Sequence, residues 1–201
     1  MYRPLFACLL FVPLCVLSAC IQPGVGDDDD DTPDYPDIEL YDFDQAAPRF
    51  SCPQGDSFPE EATVVSAFDR AEQSFGGANL REIEAIAEFP EAGDWAQVGM
   101  WFELECPDGG VCDHWDRAGS VQMVLNPEAA PEAQEQLELL RHVTPYRMGM
   151  CQFVDVTPLA SLLQGPQTLR SWIDTWVGPG HSDGDGWLTT VRFVFYPGAP
   201  A

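Results

Sequence analysis

Two stretches of the chain carry residue types and spacings that suit chemistry. CPDGGVCDHWDR, residues 106–117, sets two cysteines across a Gly-Gly turn and then runs Asp113, His114, Trp115, Asp116 and Arg117 in succession. TLRSWIDTW, residues 168–176, places Trp172, Asp174 and Trp176 two apart. Successive side chains of a strand point to opposite faces, so these three share one face, with Ile173 and Thr175 on the other. A carboxylate flanked by two indoles is an odd thing to bury and a suitable thing to show a sugar. Core packing is the ordinary alternative for Trp115, Trp172 and Trp176. Asp116 and Arg117 read as a candidate site. Alternatively they form a local ion pair that holds the turn, worth under about 1 kcal/mol at an exposed position.

The elements that position these residues read as strands. Runs rich in β-branched and aromatic residues cover 62–68, 81–89, 97–106, 119–125, 137–146, 152–156, 168–176 and 188–196. In REIEAIAEF the alternation puts Ile83, Ala85, Ala87 and Phe89 on one face. Gly, Pro and Asp punctuate the runs, which predicts an all-β fold: a single jelly-roll β-sandwich of about eight antiparallel strands over residues 51–201. Residues 129–140 have helical propensity in their first half and read as strand in their second. Residues 158–163, PLASLL, predict one short helical turn with Thr157 as its N-cap. HSDGDGW, 181–187, opens like a calcium loop, but no downstream bidentate acid follows, so a polar turn before the last strand is expected.

Ahead of the fold, residues 1–19 read as a signal segment, with an apolar run too short and too Pro-interrupted to span a bilayer. LSAC, 17–20, resembles a bacterial lipobox, which makes Cys20 the acylation site and the membrane a partner through its lipid. Ile21 after the cysteine suggests the outer membrane. An ordinary cleavage site beside a chance cysteine is the alternative. Residues 20–50, with five consecutive aspartates, predict an acidic, unfolded tether.

Of the seven cysteines, Cys8 and Cys15 leave with the signal and Cys20 takes lipid. Cys52, Cys106, Cys112 and Cys151 remain, an even set for an oxidising compartment. The Gly-Gly turn favours Cys106–Cys112, which leaves Cys52–Cys151 and a closed loop of roughly 100 residues, worth about 4–5 kcal/mol. Zinc is the competing reading. The C-x5-C spacing is poor for it and no second close ligand pair follows, so no metal site and no cofactor are expected. The chain has 33 acidic residues against 9 basic ones in 201, a net charge of −24, and so repels phosphate backbones. Nucleic acid is not expected as a partner.

Taken together, FELECPDGGVCDHWDRAGSV, LLRHVTPYRMG and FVDVTPLASLLQGPQTLRSWIDTW resemble the N-terminal domain of the peptide N-glycosidase F family. The pattern shared with that family is a Cys-bracketed turn, C-D-x-W-D-R, R-x-x-T-P-Y, D-V-T before S-L-L, and a T-E-T-W strand, over about residues 62 to 196. The resemblance implies two side-by-side jelly rolls with a site at their interface, and hydrolysis of the amide between Asn and the first N-acetylglucosamine of an N-glycan. It matches the family's essential aspartate to Asp116 and the arginine beside it to Arg117. It matches the Glu and Trp of T-E-T-W to Asp174, one methylene shorter, and Trp176. The sequence ends about where the first sandwich of the family ends. The expectation is therefore a lone domain without the family's second-domain glutamate.

Amide hydrolysis needs an activated water and a proton for the leaving nitrogen, which Asp116 alone supplies poorly. The expected function is a membrane-anchored module that binds N-glycans or glycoproteins. The alternatives are a glycoamidase, alone or completed by a second chain, and a structural envelope lipoprotein. The same architecture serves copper monooxygenases, but His114, His142 and His181 do not form a ligand set, so that activity is not expected.

Overall fold

The computed structural model describes residues 58–199. The signal segment, Cys20, the acidic tether and Cys52 lie outside the described residues. Eight strands form two four-stranded sheets, and all strand pairs are antiparallel. One sheet is ordered β1(Thr63–Gln73), β8(Trp187–Pro197), β3(Trp95–Glu105), β6(Met150–Asp155). The other is β2(Glu82–Phe89), β7(Gly165–Ile173), β4(Ala118–Val124), β5(Gln136–Val143). Strands 1 to 4 thus pair with 8 to 5 in turn, as in a ribbon folded back on itself and rolled across two layers. The expected all-β sandwich is what forms.

Alternation explains the layers. Val98, Met100, Phe102 and Leu104 of β3 and Val191, Phe193 and Phe195 of β8 point inward. They meet Ala87 and Phe89 of β2, Leu169 and Ile173 of β7 and Val121 and Met123 of β4. Phe89 sits edge-on to Phe193 at 4.9 Å between ring centres. Each of the Val, Met, Leu, Ile and Phe side chains contributes about 1.5–3 kcal/mol through the apolar area it removes from water. Strand β1 departs from strict alternation. Its pairing with β8 slips between Ser66 and Phe68 and again between Phe68 and Ala71. Arg70, at φ 49°, takes the left-handed conformation within the second slip.

The short helical expectations fared unequally. The first half of 129–140 forms only a 3-10 turn, Pro131–Ala133, and its second half becomes β5, as expected. The turn at 158–163 starts earlier, as a 3-10 turn over Thr157–Leu159. Val156, not Thr157, is its N-cap. The Thr157 hydroxyl is committed elsewhere, accepting from Val98 N at 2.9 Å and bonding the Asp155 carboxylate.

Candidate functional site: a pinned aspartate beside an aromatic groove

The Cys106–Cys112 disulfide forms as expected and closes the turn after β3. Cys151 is also disulfide-bonded, and its expected partner, Cys52, lies outside the described residues. The 181–187 loop lies across the stapled turn. Asp185 accepts from Val111 N at 2.9 Å and Gly180 N at 2.8 Å, bonds that hold its carboxyl below the ordinary value. A Cβ on Gly110 would come within 2.6 Å of that carboxylate, so a larger residue there would push Asp185 aside. The loop's second aspartate therefore ties the loop down. Among the described residues no group of His, Cys, Asp and Glu is arranged to hold a metal.

Beyond the disulfide, the chain turns around Asp113, which is fully buried. Its carboxylate accepts from Arg117 Nε at 2.7 Å and Nη2 at 3.2 Å, from Trp115 N at 3.0 Å and from Thr175 Oγ1 at 2.8 Å. These bonds satisfy a charge that would otherwise be costly to bury. Thr144, buried in the T-P-Y segment, secures the same loop. Its hydroxyl accepts from Arg117 N at 2.8 Å and donates to Trp115 O at 3.3 Å. Its own N–H donates to Arg117 O at 2.8 Å.

Asp116 is therefore fixed through the residues on either side of it, while its side chain is exposed and makes no hydrogen bond or ion pair with any described residue. The local Asp116–Arg117 ion pair does not form, because Arg117 is engaged by Asp113. Trp115 is half exposed and meets Tyr146 edge-on at 6.3 Å.

The second stretch behaves as alternation requires. Leu169, Ser171, Ile173, Thr175 and Val177 are buried. Trp172 and Asp174 are part-exposed and Trp176 is 51% exposed. None of the three candidates on that face is a core residue. Asp174 N donates to Ala118 O at 2.9 Å, which carries the β4–β7 pairing one step past Ile173 and sets Asp174 across from a residue two positions from Asp116. The two stretches are thereby brought together at one end of the sheet.

The connection from β1 to β2, residues 74–81, borders this face. Phe75 N donates to Val177 O at 2.7 Å. Phe75 and Trp176 meet edge-on at 5.3 Å, and the Arg81 guanidinium stacks on both rings. Arg81 Nη1 also lies 3.8 Å from Asp174 Oδ1. Asn79, Arg81, Glu82, Trp172 and Asp174 line an open groove of about 420 Å³, a volume typical of small-molecule sites. Beneath it, the fully buried Gln73 joins the sheets. Its amide donates to Arg81 O at 3.0 Å and Ser171 O at 3.2 Å, and its carbonyl accepts from Ser171 Oγ at 2.8 Å and Thr189 Oγ1 at 2.6 Å.

The sequence reading missed Asp113, Thr144, Thr175, Gln73 and Arg81 as parts of this arrangement. A signal existed for one of them, the Asp113–Arg117 separation within a single loop.

No family model matches the chain. Over 129 residues it is 31% identical to the peptide-N(4)-(N-acetyl-beta-D-glucosaminyl)asparagine amidase F of Elizabethkingia miricola, covering 61% of this chain and 35% of that protein. The solved structure of PNGase F, a glycosylasparaginase from Flavobacterium meningosepticum, matches at a TM-score of 0.56 and 27% identity, over 69% of this chain and 43% of the other. The domain is PNGase F-like. PNGF-II shares the fold at the same TM-score with 14% identity, over 70% of this chain and 35% of its own. The chain thus spans well under half the length of the PNGase F proteins it matches.

Proposed function

We propose that this PNGase F-like domain binds N-glycans or glycoproteins at the face formed by Trp172, Asp174 and Trp176, with Asp116 at its edge. The observation that carries the proposal is the outward row on β7 and its continuation, in which two indoles flank a carboxylate, and Trp172 and that carboxylate line an open groove. Indoles offer an apolar surface to a sugar ring, and the flanking polar groups fix its hydroxyls. Trp115 adds a further exposed ring near Asp116. Trp176→Ala is expected to abolish binding of an N-glycopeptide carrying the chitobiose core while the melting transition is retained. Unchanged affinity in that variant contradicts the proposal.

A second reading is favoured by Asp116 itself. An exposed carboxylate without a partner, on a loop held at both neighbours, is what a group that must meet a substrate needs. On that reading the domain cleaves the glycan–asparagine amide, with Asp116, Arg117 and Asp174 at the reaction, alone or with a partner chain completing the site. Glycan release would convert Asn to Asp, a gain of about one dalton on the peptide, and Asp116→Asn would end it. An unchanged peptide mass, with cell-envelope extract added, counts against it.

The proposal places the domain on the bacterial cell envelope, held at the outer membrane by lipid on Cys20. Metabolic labelling with a fatty acid, lost in Cys20→Ala, tests that anchor.

A further inference from the structure

Arg81 lies outside the motifs that carry the family resemblance, yet it lines the groove with its guanidinium stacked on two rings and bonded to Asn79. Its guanidinium carbon is 4.4 Å from the centre of the Trp176 ring and 4.7 Å from that of Phe75. A planar cation stacked on two rings loses most of its freedom before any ligand arrives. Its backbone is fixed too, since its carbonyl accepts from Ile173 N at 2.9 Å and from Gln73 Nε2 at 3.0 Å.

This held cation keeps most of its hydrogen-bonding capacity in reserve. A guanidinium has five N–H donors. Nε donates to Asn79 Oδ1 at 2.9 Å. Nη1 lies 3.8 Å from Asp174 Oδ1, an ion-pair contact beyond hydrogen-bond length. Within the described residues the hydrogens on Nη1 and Nη2 have no acceptor. Asp174, 45% exposed, is likewise an acceptor without a hydrogen-bond donor to its carboxylate among them.

A set of free donors beside a free acceptor, between aromatic rings, matches two neighbouring hydroxyls on a sugar. One hydroxyl donates to the carboxylate and the next accepts from the guanidinium. The local charge limits which sugars fit. Arg81 is opposed by two lining carboxylates, Asp174 and Glu82. Arg170 pairs with Glu82, Nε to Oε1 at 3.6 Å, but shares its charge with Glu84 and also bonds Gln134. The lining is thus net negative in a chain of net charge −24, which disfavours a sulfated or carboxylated sugar.

We propose that Arg81 is a specificity-determining contact residue, paired with Asp174 to grip neighbouring hydroxyls of an uncharged saccharide and to reject acidic ones. The inference rests on the glycan-binding reading above. The test is calorimetric titration of the oxidised chain with a chitobiose-core N-glycopeptide and with its 6-O-sulfated counterpart. Wild type is expected to bind the neutral form at least tenfold tighter. Arg81→Met is expected to weaken neutral binding at least tenfold with its melting transition kept. Glu82→Gln is expected to narrow the discrimination against sulfate. If Arg81→Met fails to fold, Asn79→Ala serves instead, since it frees the guanidinium without removing it, and a several-fold loss is expected. Neutral binding within twofold of wild type in the folded variant overturns the role of Arg81 and leaves the glycan reading standing, as does tighter binding of the sulfated form. Absence of wild-type binding to either glycopeptide overturns both.

Discussion

The guanidinium of Arg117 closes onto the buried carboxylate of Asp113, Nε to Oδ2 at 2.7 Å, and leaves its sequence neighbour Asp116 free. One aspartate of the C-D-x-W-D-R motif is scaffold and the other is displayed. Removing the scaffold member strands a largely buried cation and the Thr175 hydroxyl. Asp113→Ala is expected to cost about 3 kcal/mol, read as a lower urea midpoint at unchanged slope. Asp116→Ala, at an exposed position, is expected to shift the midpoint by no more than about 0.5 kcal/mol. A reversal of that order would mean the roles are exchanged.

Gln73 is the corresponding anchor under the groove. Gln73→Leu keeps approximate volume but leaves the Ser171 and Thr189 hydroxyls without this acceptor and removes one of the two donors to the Arg81 carbonyl. The expected cost is about 2–3 kcal/mol, with weaker glycan binding because the Arg81 backbone loses one of its two anchors. Thermal melts and titration of the same variant check both effects.

His142 makes stability depend on pH. It is buried against Phe102, ring centres 4.5 Å apart, and neither ring nitrogen has a hydrogen-bond partner. Burial lowers its pKa from 6.5 to about 4. Between those values the unfolded chain holds the proton and the folded chain does not, so stability is full above pH 6.5 and falls as pH drops towards 4. The difference corresponds to about 3 kcal/mol. His142→Phe is expected to flatten this part of the profile. Urea midpoints from pH 7 to 4, compared between the two proteins, separate His142 from the carboxylates, which act in both. Parallel profiles would contradict the assignment.

The Cys106–Cys112 bridge closes a short loop, for which chain entropy gives about 2 kcal/mol. It also orients the turn that delivers Asp113. The double serine variant is expected to lose that stability and to bind N-glycopeptide more weakly. A melt under reducing conditions and a titration of the variant check the two parts.

Period-two patterning was legible because the sandwich buries one face of most strands. It placed Ile83, Ala85, Ala87 and Phe89 of β2 inward and Trp172, Asp174 and Trp176 outward, as the structure has them. The disulfide could be read because its cysteines are close in sequence. What could not be read depends on contacts between distant segments. Thr175 meets Asp113 across 62 positions, and Gln73 meets Ser171 across 98. Arg81 gains its setting only when the β1–β2 connection is laid beside Trp176. Strand β1 was read too short because its bulges, with Arg70 in a left-handed conformation, break the alternation that marks a strand.

The most direct test is titration of the oxidised chain with a chitobiose-core N-glycopeptide, followed by tryptophan fluorescence in wild type and in Trp176→Ala. A saturable change in wild type, lost in a folded Trp176→Ala, is the result expected of a sugar site on the Trp172–Asp174–Trp176 face. A flat titration of folded wild-type protein, or saturation that survives the substitution, would contradict it.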